Sequence, residues 1–295
     1  MSKVISIINL KGGVAKTTTT VQLAECLVTE FDKKVLVIDL DPQTNATVAL
    51  INDSKWEKLD DENKTLYHLF NDKLEKTTLF NIDKAIQTGV SNLYLNNLHL
   101  LASNIKFISI QDRISEIPQK CDHTINPMEV LKTVIQPILA DYDYVLIDCP
   151  PNLGFITKNG LEISDYYFIP TIPDRLSTYG IPQIVSTIDN FAKMRKLKVR
   201  CMGLLMTKYS SNSEAHKAGK RTLPARFKDM FKKIKSSPAP VFSTVMPQAN
   251  ATSDAMQYNQ YPDTFKQKYG YSKSLGKPLH QYVVDLTKEF IQNAR

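Results

Sequence analysis

Asn9-Leu10-Lys11-Gly12-Gly13-Val14-Ala15-Lys16-Thr17-Thr18 lies between an apolar run, Val4 to Ile8, and a helical pattern from Thr17 to Phe31. The order reads as strand, glycine turn and helix N-terminus. Adjacent glycines open backbone conformations closed to other residues, so consecutive N–H groups can turn inward and bind phosphate oxygens, helped by the positive helix end. In such a loop Lys16 reaches the β- and γ-phosphates and the Thr17 hydroxyl coordinates Mg²⁺. The strict pattern of a glycine, any four residues and Gly-Lys-Thr is not met, because Leu10 and Ala15 stand at the two glycine positions. A plain strand-to-helix turn with two solvated lysines is the alternative.

Two further stretches decide against that alternative. Val35-Leu36-Val37-Ile38-Asp39-Leu40-Asp41-Pro42-Gln43 and Tyr142-Asp143-Tyr144-Val145-Leu146-Ile147-Asp148-Cys149-Pro150-Pro151 are apolar runs that end in carboxylates. Continuous apolar character suits parallel strands covered on both faces, and binding groups collect at the carboxyl ends of such strands. Taken together, Lys-Gly-Gly-x-x-Lys-Thr, Asp-x-Asp-Pro-Gln and Asp-x-Pro-Pro resemble the three signatures of the deviant Walker A ATPases of the ParA/Soj/MinD family, in the family's order.

The resemblance implies ATP and Mg²⁺ as ligands and assigns roles by position. The loop Gly12, Gly13, Val14, Ala15, Lys16, Thr17 and Thr18 holds the nucleotide, and Lys11 reaches across a dimer interface to the partner's nucleotide. Asp41 positions the attacking water beside Lys11 and Lys16. Thr17, Asp39 and Asp148 attend the metal. Thr207 and Pro247, at the ends of two later strands, enclose the adenine.

The whole chain, residues 1–295, is expected to be a single α/β domain, a doubly wound, mostly parallel twisted sheet with helices on both faces. Its 42% hydrophobic and 23% charged composition suits a sizeable core, and no Gly/Ser/Pro-rich linker divides it. Further strands are expected at Leu98 to Ala102, Tyr166 to Thr171, Val199 to Thr207 and Val241 to Val245. Helices are expected at Met128 to Leu139, with Pro137 kinking the last turn, and at Leu279 to Gln292. Residues from about Asn52 to Asn97 read as irregular, anchored by Trp56, Tyr67, His68, Leu69 and Phe70. Cys26, Cys121, Cys149 and Cys201 form no Cys-x-x-Cys pair, which points to reduced thiols rather than an iron–sulfur cluster or zinc. No stretch approaches the roughly 20 apolar residues that cross a bilayer, and the chain opens on a strand, so a cytoplasmic protein is expected.

The net charge of +7 and pI near 9.0 favour a polyanionic partner. The most basic segment carries Lys217, Lys220, Arg221, Lys228, Lys232, Lys233 and Lys235, while Leu223, Phe227, Met230, Phe231 and Ile234 recur at helical spacing. One face thus packs inward and the other presents cations, either as a merely solvated surface or as a DNA contact. Relatives commonly write the loop near Pro247 as Pro-Arg-Asn; Gln248 departs from this and shifts the expected DNA contact to the helix. The resemblance implies an ATP-dependent homodimer that binds DNA non-specifically on the nucleoid. Such a dimer drives plasmid or chromosome partition with a ParB-like adaptor. A positioner of non-DNA cargo is the alternative. A MinD-like membrane switch is disfavoured by the lack of a basic amphipathic tail, and an amide-forming ligase by the lack of a substrate motif.

Overall fold

The computed structural model describes residues 2–121, 123–234, 236–270 and 275–294. Seven strands form one sheet: β1 Lys3–Ile7, β2 Val35–Asp39, β3 Leu98–Leu101, β4 Tyr144–Asp148, β5 Tyr166–Thr171, β6 Arg200–Tyr209 and β7 Val241–Pro247, in the order β3-β2-β4-β1-β5-β6-β7. Every pairing is parallel. Strand β1 lies between the two flanks, so successive connections leave it in opposite directions and open a crevice at the carboxyl edge. The register sets the site: Asp148 lies opposite Ile7 in β1 and opposite Asp39 in β2.

Both faces of the sheet are covered, which is why its strands read as continuous apolar runs. Pleating sends Val4, Leu36, Ile38, Val145 and Ile147 to one core, shared with the helices Phe155–Ile163 and Ile181–Arg195. Ile5, Ile7, Val35, Val37 and Leu146 go to the other, under the helices Lys16–Phe31 and Leu279–Asn293. The first of these is also pinned by a buried ion pair, Glu25 to Lys268 at 2.6 Å.

Three local expectations need correction. The helix expected over Met128 to Leu139 is α-helical only at Val130–Ile135 and continues as a 3₁₀ helix, Gln136–Asp141. Pro137 lacks the N–H that an α-turn uses, and the tighter winding accommodates it. Residues 52–97 are not irregular, because they contain the helices Asp53–Asp61, Leu66–Glu75 and Ile82–Ala85. His68, Leu69 and Phe70 are buried there as expected, but Trp56 and Tyr67 are only half-buried. Finally, β6 and β7 run on to Tyr209 and Pro247, beyond the expected Thr207 and Val245. No helix among the described residues is long and apolar enough to cross a membrane.

Candidate nucleotide site

At the carboxyl edge, the turn after β1 passes through a left-handed Gly13 (φ 74°) and a left-handed Ala15 (φ 66°) before the helix Lys16–Phe31 begins. These two reversals wrap the backbone around the mouth of a cleft of about 570 Å³, lined by Gly12, Gly13, Ala15, Lys16, Thr17 and Thr18 together with Asp41. A Cβ added at Gly12 or Gly13 would meet nothing within 4 Å, so the loop leaves open space in front of its backbone. Val14 points the other way, fully buried, and its carbonyl accepts from Thr207 Oγ1 at 3.0 Å. The end of β6 is thereby tied to the loop.

Lys16 is 7% exposed and donates to the Lys11 carbonyl at 3.3 Å. Burial holds its ammonium below the usual lysine range, against the opposing charges of Asp148 and Asp41. Thr17 donates to Asp148 Oδ2 at 2.6 Å and Thr20 to Oδ1 at 3.2 Å. Burial pushes the Asp148 carboxyl up to about 7, although these hydrogen bonds and Lys16 favour its ionised form. Asp41 takes the Gln43 N–H at 3.0 Å, which fixes its carboxylate at the cleft wall. Asp39 faces away from the cleft: its oxygens accept from Asp41 N at 3.1 Å, Thr47 N at 2.9 Å and Thr47 Oγ1 at 2.7 Å. Burial and the neighbouring Asp148 charge raise it well above the usual carboxylate range.

Asp148 and Asp41 both act on the buried Lys16, and the raised Asp148 carboxyl is one that a neighbouring divalent cation would hold ionised. No group of three or more His, Cys, Asp or Glu able to hold a metal occurs among the described residues. The available donors are a threonine hydroxyl with a carboxylate behind it. That set fits Mg²⁺, which keeps several waters and takes its remaining ligands from substrate phosphates.

Beside this cleft lies a second one of about 370 Å³, lined by Thr207, Pro247, Met246 and Met256, and the two share Ala15, Thr18, Lys208, Met256 and Gln257. Both residues expected at the adenine are therefore brought to one wall. Sequence reading missed Asp53, Gln257 and Tyr258, which line the first cleft from distant parts of the chain with no local motif. Gln43 and Lys208 stood beside motifs that marked the right strand ends.

Lys11 does not line either cleft. Its Nζ donates to Ser177 Oγ at 2.8 Å, and Ser177 is bound through its own N–H and hydroxyl to Asp174 at 2.7 and 2.9 Å. The short helix Arg175–Tyr179 that follows leaves Leu176 and Tyr179 79% and 83% exposed. The basic segment is a helix, Glu214–Ile234, with Leu223, Phe227, Met230 and Phe231 buried and Lys217, Lys220, Arg221, Lys228, Lys232 and Lys233 exposed. Lys235 lies outside the described residues. None of the described cations of this helix lines the first cleft; the helix instead leans at Gly219 on the Pro173 carbonyl, where an added Cβ would stand 1.9 Å from the oxygen.

Residues 2–201 match the family AAA_31, an AAA domain. The chain is 34% identical over 207 residues to the sporulation initiation inhibitor protein Soj of Bacillus subtilis, covering 70% of this chain and 73% of Soj. The chain belongs to the ParA/Soj family. A second relative of this ParA/Soj chain is the chromosome partitioning protein ParA of Myxococcus xanthus, 29% identical over 213 residues, 72% of this chain and 67% of ParA. The fold is that of a putative plasmid partition protein from Borrelia burgdorferi B31 bound to AMPPNP, with a TM-score of 0.68, 23% identity and 99% of each chain covered.

Proposed function

We propose that this chain is a Mg²⁺-dependent ATPase of the ParA type, which dimerises around ATP, binds DNA without sequence preference in that state and drives DNA partition with a ParB-like partner. The observation that carries the reading is the convergence of Lys16, the Thr17–Asp148 pair and Asp41 on one cleft behind an open glycine loop. Membership of a family whose relatives include a chromosome partitioning protein supports the cargo.

The loop N–H groups and Lys16 bind and neutralise the phosphates. Thr17, backed by Asp148, holds Mg²⁺, which when bound offsets charge on the transferring phosphoryl group. Asp41, oriented by Gln43, positions water in line with the terminal phosphate. Lys11 leaves Ser177 and reaches the nucleotide of the second copy. Leu176 and Tyr179, on the helix beside it, become covered in the same step.

The test is Asp41→Ala in gel filtration with ATP and Mg²⁺, alongside a phosphate-release assay. The variant is expected to elute as a dimer and to release no phosphate above background. A variant that stays monomeric where wild type dimerises, or that hydrolyses at the wild-type rate, contradicts the role given to Asp41.

A further inference from the structure

Gln22 sits on the first helix one turn beyond Thr18, only 2% exposed, and its Nε2 is buried without a hydrogen-bond partner. Folded proteins almost always pair such groups with protein, water or ligand, because an unpaired buried donor is costly. The side chain lines the second cleft, and a second buried polar atom without a partner, Thr252 Oγ1, lines it as well. Around them stand Met246, Pro247 and Met256, apolar groups suited to the faces of a flat ring. Since this cleft adjoins the phosphate-loop cleft, with Ala15, Thr18 and Met256 lining both, a nucleotide with its phosphates on the loop would have its base here.

We propose that Gln22 reads the base. Its amide donates to N7 of adenine and accepts from the 6-amino group, a pairing that glutamine makes edge to edge. Guanine presents acceptors at both positions, so the amide carbonyl faces O6 with no hydrogen between them. The cleft therefore selects adenine over guanine through a side chain on the same helix that carries Lys16 and Thr17. This inference rests on the proposal that the chain binds a nucleoside triphosphate.

Calorimetric titration of the wild-type chain with ATP, GTP and 7-deaza-ATP in Mg²⁺, repeated on Gln22→Met, tests it. The wild type is expected to bind ATP roughly 10- to 100-fold more tightly than either analogue. In Gln22→Met, ATP affinity drops to the level of GTP while GTP affinity stays as it was. The wild-type comparison of ATP with 7-deaza-ATP needs no substitution, so it decides even if the variant does not fold. Equal wild-type affinity for ATP and 7-deaza-ATP, or an unchanged ATP-to-GTP ratio in folded Gln22→Met, overturns the assignment of Gln22 alone. A wild type that binds none of the three overturns the nucleotide reading itself and this inference with it.

Discussion

Ala15 holds φ 66° and ψ 34°, a left-handed conformation in which an L-residue brings its Cβ too near the following carbonyl. The cost is roughly 1–2 kcal/mol relative to glycine, which adopts that region freely. Ala15→Gly is therefore expected to raise the urea midpoint by an amount worth about 1 kcal/mol with an unchanged slope, partly offset by the greater freedom of glycine in the unfolded chain. A midpoint equal to or below wild type contradicts the strain. At this scale the sequence was legible where chemistry follows from strand ends: Lys16, Thr17, Asp41 and Asp148 converge because parallel strands deliver their carboxyl ends, and the turns that follow them, to one edge. It was not legible where a side chain's direction depends on a later residue. Asp39 turns inward because Thr47 offers it both an N–H and a hydroxyl, and Lys11 folds onto Ser177 from a loop more than 160 residues away.

The helix Glu214–Ile234 meets the loop after β5 where Gly219 lies against the Pro173 carbonyl. That loop continues through Asp174 into the helix Arg175–Tyr179, whose Ser177 accepts from Lys11 and is itself bound to Asp174, so the basic helix rests beside the segment that holds Lys11. Any methyl at 219 has to push the helix outward, because the obstructing atom is backbone rather than a flexible side chain. Overpacking of this kind costs typically 1–3 kcal/mol. Gly219→Ala is expected to lower the urea midpoint accordingly; a midpoint within error of wild type means that the helix does not bear on Pro173. The amphipathic spacing of Leu223, Phe227, Met230 and Phe231 made this helix legible, as continuous apolar runs did for the central strands. The helices between 53 and 85 were not, because they are short and the charged stretch Asp53–Asp61 buries only Leu59. Their existence depends on tertiary contacts that no local period announces.

Over the whole molecule, lysine and arginine exceed aspartate and glutamate by 37 to 30, and the excess gathers on one exposed helix face. Lys217 and Lys232 have acidic neighbours at 2.7 and 3.7 Å, on surface pairs that contribute little and are readily exchanged for phosphate contacts. The proposed ATP-bound dimer would present two such faces. If together they contact about 6–10 phosphates, counterion release lowers DNA affinity by roughly 10³–10⁵ between about 50 and 200 mM salt. Lys232→Glu with Lys233→Glu is expected to flatten that slope on unrelated duplexes alike, while ATP hydrolysis without DNA stays near wild type. Fluorescence anisotropy with ATP, ADP and no nucleotide reads this directly, and DNA binding that ignores the nucleotide or survives the double reversal unchanged rejects the helix as the contact.

The central claim is that two lysines five residues apart serve different nucleotides: Lys16 its own, from inside the cleft, and Lys11 that of a second copy, from a resting place on Ser177. Calorimetric titration of ATP and Mg²⁺ into Lys16→Ala and Lys11→Ala, with the assembly state read by light scattering, separates them. The account predicts that Lys16→Ala loses ATP binding, whereas Lys11→Ala binds ATP near the wild-type affinity but remains a monomer. Equal loss of ATP affinity in both variants, or a Lys11→Ala chain that dimerises as wild type does, contradicts it.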